Sequence, residues 1–331
     1  MAQPEVQQVF FQHIKTSLAA HLSLVDEIAD LLSISNDSAY RRIRGEKPLS
    51  FEEIKILCAH FKISLDQLFH LDGNSYLFNG PLTNNNNFGI ESYLSHLLNQ
   101  LNYFNSFENR ELYYLGKDLF IFHFFGFDEL SAFKIFFWMK SILQYPFDGN
   151  ESDVFDTMKE SVFKIMAKMT EAFNKVPLVE IWHDDSINAT IRQIEYYRQS
   201  KVFPNEEYAL GLYRNLIEML NHIEKQAEAG CKFPVGGKPS AASVSYKFYV
   251  NEFVFGDNSN MAVLNNTKIV YLNHSVLNII MTKDPVFTEY TYQHFQNMMR
   301  KSTLLSFVGE KERKKFFNAM REKVEIRIRT F

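Results

Sequence analysis

The sequence predicts a mainly α chain: a bundle of short helices at the N-terminus, then a larger helical region, with a small antiparallel β element near the C-terminus that makes the last part α+β. Three observations predict it. Serine-led helix starts crowd the first seventy residues, apolar residues recur at helical spacing from Ile90 to about Gly230, and β-branched and aromatic runs around a turn signal arrive only after residue 243.

A chain of 331 residues exceeds one ordinary core, since domains run to roughly 100–200 residues. Shifts in composition set the divisions: residues 1–71, a linker over 72–89, an aromatic-rich helical region over 90–230 and an α+β region over 231–331. Hydrophobic residues make up 46% and aromatic ones 15% of the chain, enough for sizeable cores and unlike a disordered sequence. Cys58 and Cys231 form no CxxC pair, so neither a disulfide framework nor a cysteine-rich zinc site is expected, and a reducing cytoplasm fits. The start, "MAQPEVQQVF", lacks the basic and apolar stretches of a signal peptide.

In the first region Ser23 with Asp26, Ser50 with Glu53, and Ser64 with Gln67 each match the pattern in which a serine hydroxyl caps a backbone N–H while the third residue on reaches back. Ser35 opens a further short helix that Gly45, suited to a left-handed cap, closes. On a wheel of about 100° per residue the helix from Asn36 to Arg44 puts Ala39 and Ile43 on a core face. Arg41 then points away, flanked by Asp37, Ser38 and Arg44, with Tyr40 and Arg42 at the edges. A short, basic, polar face of this size fits the DNA major groove, where arginine pairs with guanine and phosphates draw the remaining charge. The candidate DNA-binding residues are therefore Ser35, Asn36, Asp37, Ser38, Tyr40, Arg41, Arg42 and Arg44, with Arg41 expected on a base and Arg42 on a phosphate. Positive charge is local: residues 1–75 hold seven Lys or Arg against ten Asp or Glu, a net of −3.

Residues 24–69, "LVDEIADLLSISNDSAYRRIRGEKPLSFEEIKILCAHFKISLDQLF", resemble the Xre-type, lambda-repressor-like helix-turn-helix family. Ile28-Ala29 resembles its apolar-alanine step in the first helix of the motif, Ile34-Ser35 its turn, Gly45 its glycine after the recognition helix, and Pro48 the following loop proline; "ISLDQLF" resembles the closing helix. Ser33 stands where the family often has glycine. The resemblance implies a helix-turn-helix DNA-binding domain and a transcription regulator acting on double-stranded DNA.

Further along, "LFIFHFFGFDELSAFKIFFWMKSIL" (residues 119–143) is interrupted by Asp128, Glu129, Lys134 and Lys140. It therefore reads as a buried aromatic helix and not as a membrane span, and no membrane partner is expected. "INATIRQIEYYRQ" aligns Ile187, Ile191 and Ile194 on one helix face. "VSYKFYVNEFVF", "MAVL" and "KIVYL" read as strands, the last two joined at Asn265-Asn266 as a hairpin. "EYTYQHFQNMMRKS" and "KERKKFFNAMREKVE" read as closing helices; the tail from Gly309 has eight basic against four acidic residues, a solvated face, a secondary phosphate contact or a clamp on an acidic partner surface.

No catalytic residue, metal site or cofactor is assigned. "GCKFPVGGKPS" lacks the spacing of a phosphate loop. In "WHDD" Asp185 or Ser186 reads as a helix cap in preference to a metal ligand, and His123 within "FIFHFF" reads as a hydrogen-bonded core or boundary residue. Residues 90–331 are expected to dimerise the protein, since a single reading helix is weakly specific. They also leave room for a small-molecule effector or an unrecognised enzymatic domain; an interaction scaffold without DNA is the rival reading of the whole.

Overall fold

The computed structural model of the chain describes residues 6–18, 22–69, 75–83, 88–144, 160–252 and 258–331. Residues 72–74 and 84–87 of the expected linker lie outside them, as does the side chain of Gln67. The chain divides into two compact units, Met1–Leu77 and Phe78–Phe331.

The first unit contains helices α1 (Val6–Ser17), α2 (Leu24–Leu32), α3 (Asn36–Ile43), α4 (Phe51–Phe61) and α5 (Leu65–Phe69). Local chemistry sets their bounds. The Ser23 and Ser35 hydroxyls accept from the amides of Asp26 and Ser38, and Ser50 with Glu53 closes a full capping box. Ser33 (φ 52°) and Lys62 (φ 56°) stop α2 and α4 in the left-handed region, and Gly45 (φ 83°) turns the chain after α3. Phe10, Phe11, Ile14, Ile28, Ala29, Ala39 and Leu57 form the buried core, with Ile43 packed against it. Each large apolar side chain so buried contributes about 1.5–3 kcal/mol.

The second unit overturns the expectation of a mainly α fold with a small antiparallel element. Its described residues form a mixed sheet of seven strands, so the unit is α/β. The strands are β1 (Arg110–Gly116), β2 (Leu178–Trp182), β3 (Tyr246–Val250), β4 (Ser259–Leu264), β5 (Thr267–Asn273), β6 (Ile279–Thr282) and β7 (Thr303–Leu304). Their order is β6-β5-β4-β1-β2-β3-β7. β1, β2 and β3 run parallel, with Leu112 beside Leu178 and Leu178 beside Tyr246, and the other pairings are antiparallel. The division expected at residue 230 cuts through this sheet: β1 and β2 precede it, and the other five strands follow.

Parallel neighbours need crossovers. Helices α7 (Ile121–Phe124), α8 (Asp128–Phe137) and α9 (Glu160–Phe173) lie between β1 and β2; α10 (Asn188–Gln199) and α11 (Glu206–Ala229) lie between β2 and β3. After α8 the turn Trp138–Ile142 widens, and the Leu143 amide reaches back five residues to the Trp138 carbonyl at 3.0 Å. Together with α6 (Ile90–Asn105) and α13 (Glu310–Ile328), these helices bury one sheet face around Leu112, Tyr114, Leu178, Trp182, Tyr246 and Phe248. The opposite face, Tyr113, Leu115, Val179, Ile181, Met261 and Val270, packs on Phe295 of α12 (Pro285–Arg300).

Several local expectations reappear within this different whole. β4 and β5 form the hairpin through Asn265 (φ 51°) and Asn266, with Leu264 opposite Thr267. The Phe-rich segment is helical over α8, with Phe133 and Phe136 fully buried. Among the described residues no helix is long and apolar enough to cross a membrane.

Candidate nucleic-acid interface

α2 and α3 are joined by the tight turn at Ser33, whose amide donates to the Asp30 carbonyl while the Ile34 amide donates to Ala29. The Asn36 side-chain amide donates to the Asp26 carboxylate at 2.8 Å, tying the start of α3 back to α2. At its other end α3 is held by α1. Gln7 donates to the carbonyls of Arg42 (2.7 Å) and Lys47 (2.8 Å) and accepts from the Leu49 amide (3.0 Å), and Gln8 donates to the Arg44 carbonyl at 3.3 Å. These bonds tie the end of α3 and the turn after it to α1, so α3 is held at both termini.

Of the eight sequence-predicted residues, all but Arg42 present exposed or half-buried side chains. Ser35 and Ser38 are linked hydroxyl to hydroxyl at 3.1 Å within the cap. Asp37 is exposed on the first turn. The side chains of Arg41 and Arg44 are 55% and 58% exposed, and the Arg44 guanidinium lies 5.0 Å from the Tyr40 ring centroid, within cation–π range.

Arg42 is the correction. It is only 5% exposed, and its Nε and Nη2 donate to the two Glu53 carboxylate oxygens at 3.1 and 2.6 Å while Nη1 donates to the Ser38 carbonyl at 3.1 Å. This planar fork leaves it no part in a phosphate contact. In return, the hydrogen bond from Arg42 holds the Glu53 carboxyl below the usual carboxylate range, with the Ser50 amide adding to the effect against the opposing cost of burial.

One residue the sequence reading passed over completes the surface. The Glu46 carboxylate lies 3.8 Å from Arg41 Nε and 3.5 Å from Arg44 Nη1. Its signal was a lone acid directly after the helix-ending glycine, which a wheel drawn only to Arg44 does not include.

The second unit holds a different polar cluster. Glu180, fully buried in mid-sheet on β2, takes His123 Nε2 at 2.9 Å on one oxygen and 3.0 Å on the other, and the Tyr246 hydroxyl donates to it. Lys232, also buried, donates to the Phe173 and Val176 carbonyls, and burial drives its ammonium well below the ordinary lysine range. Burial likewise pushes Lys134 down to about 7, where its amine bonds Thr190 at 2.9 Å and Gln193 at 2.7 Å.

Neither Asp185 nor Ser186 caps α10 as expected: Ile187 occupies that position without a side-chain bond. Ser186 instead donates to the Gly116 carbonyl at 2.7 Å. His183, Asp184 and Asp185 bring three ligand atoms within 4.8 Å, a set able to face a cation. The Lys323 ammonium, 3.0 Å from the Asp185 carboxylate, supplies that positive charge. Much of the basic tail is similarly engaged: Arg313 is buried on the Leu305 carbonyl, Arg321 pairs with Glu224 at 2.6 Å, and Lys314 pairs with Glu310.

Surface grooves of about 510 Å³ beside Glu129, Tyr208, Arg214 and Glu218, and about 330 Å³ beside Thr83, Leu143 and Asn278, are lined by none of the buried cluster. Compared with protein-family models, with curated proteins and with solved structures, the chain finds no match.

Proposed function

We propose that the chain is a sequence-specific transcription regulator of double-stranded DNA, with α3 as the reading helix and residues 78–331 as the region that pairs two copies or receives an effector. The observation that carries this reading is the division of labour on α3. Arg42 is consumed inside by Glu53, whereas Arg41 and Arg44 stay exposed on a helix anchored at both ends. A rigid short helix with outward arginines matches the major groove, about 12 Å wide, and the guanine edge within it. Arg41 reads the base; Tyr40 meets the backbone. With a net charge of −3 over residues 1–75, attraction to the duplex is confined to this face. Two heads on adjacent half-sites then supply the specificity that one lacks. The reading places the protein in the cytoplasm, beside the DNA, and involves no catalytic step.

The test is selection of bound fragments from random duplex DNA with the full chain. Enrichment of a motif with two-fold related half-sites is the expected result, and absence of any enriched sequence overturns the reading. Mass measurement in solution should return a dimer. A monomer at concentrations on the order of tens of micromolar removes the pairing part.

A further inference from the structure

We infer that Glu46 is a specificity-determining residue which suppresses sequence-independent binding by occupying the two exposed arginines of α3, an assignment that rests on the DNA-binding reading. Its backbone is held in place by main-chain bonds, which sets the side chain beside both arginines. The Glu46 amide donates to the Arg41 carbonyl at 2.9 Å, Gly45 turns at φ 83°, and Gln7 clamps the Arg42 and Lys47 carbonyls on either side. From this post it lies 3.8 Å from Arg41 Nε and 3.5 Å from Arg44 Nη1, and is itself half exposed.

On an arbitrary duplex the only partners for both arginines are phosphates. Reaching them breaks both ion pairs and brings an unpaired carboxylate near the DNA backbone. On the preferred duplex Arg41 exchanges one exposed ion pair, of about 0–1 kcal/mol, for a forked contact with a base edge of about 1–3 kcal/mol, while Glu46 keeps Arg44. Glu46 therefore weighs more heavily on the non-specific complex than on the specific one. The first unit has no general excess of positive charge to blur this difference.

The experiment compares the full-length parent, Glu46→Gln, Glu46→Asp and Asp66→Asn on a selected and a scrambled duplex over a range of salt. Asp66, exposed on α5, controls for net charge. Glu46→Gln should bind the scrambled duplex about two- to fivefold tighter, with a salt slope steeper by about 0.9, one added phosphate contact. Its slope on the selected duplex should be unchanged, so discrimination falls. Glu46→Asp should restore parental discrimination, which a merely structural role would not predict. Equal tightening on both duplexes, or the same effect from Asp66→Asn, overturns the assignment while leaving the DNA-binding reading intact. A parent that selects no duplex overturns both.

Discussion

Arg42 and Glu53 close on each other through two parallel hydrogen bonds, at 3.1 and 2.6 Å. The same Glu53 carboxylate also accepts the Ser50 amide at 3.0 Å. One acid thus starts α4 and locks α3 against it. Removing one partner of a buried pair strands the other, at a cost of about 3–5 kcal/mol; with Glu53 18% exposed, about 3 kcal/mol is expected for Arg42→Ala. Hydrogen exchange of amides in residues 24–61 should accelerate accordingly, and an unchanged pattern would remove the lock.

Arg41→Ala should leave that exchange pattern intact and act on DNA alone. It should cost about 1–3 kcal/mol at the preferred site and relax one base position. Arg44→Ala should leave the selected duplex unaffected, since Glu46 holds Arg44 there, and in the Glu46→Gln background it should remove the added slope of about 0.9 on the scrambled duplex. Binding curves on selected and scrambled duplexes separate the two. Parental behaviour of Arg41→Ala on both would take the reading role away from α3.

Ser33 adopts φ 52°, ψ 48° without being glycine. A left-handed backbone costs an L-residue about 1–2 kcal/mol, part of which glycine returns as added freedom in the unfolded chain. Ser33→Gly should therefore stabilise the first unit by about 0.5–1 kcal/mol, measured by slower exchange of the α2 amides; faster exchange would contradict it.

Stability of the second unit should rise with pH across two windows. Burial first, then the nearby His123 charge, lowers His222 to about 4 from an ordinary 6.5, and burial lowers Lys134 to about 7 from 10.5. In each case the unfolded chain takes up the proton at higher pH than the folded one. Stability is therefore lost as pH falls from 6.5 toward 4, and gained as pH climbs from 7 toward 10.5. The full His222 effect is about 3 kcal/mol. Both tryptophans, Trp138 and Trp182, are buried in this unit, so their fluorescence in denaturant titrations reports on it alone. Lys134→Met should flatten the upper window, and a slope that persists would assign it to another group.

The first unit was legible because its signals are local: Ser23, Ser35 and Ser50 each cap a neighbour three residues away. Arg42 was misplaced because its partner lies eleven residues on and already had a role in a capping box. In the second unit β1 and β2 were missed for a related reason. Buried on both faces, "ELYYLG" and "LVEIW" show no alternation, and short apolar runs of this kind read equally as buried helix. Glu180 sits inside such a run, and nothing near it in sequence announces His123 or Tyr246 as its partners.

The strand order also sets a timetable for synthesis. β1 lies between β2 and β4, so its antiparallel edge stays open until Ser259 and the residues after it have been made. At about 5–20 residues per second that wait is on the order of ten seconds. The head, whose helices pack within the first 77 residues, is finished long before. A ribosome that stops between β2 and β4 therefore releases an assembled head joined to an apolar strand with one unpaired side, which invites pairing with other chains. Nonsense mutations in this interval should act by gain of a sticky product, whereas those before α6 should leave only the head.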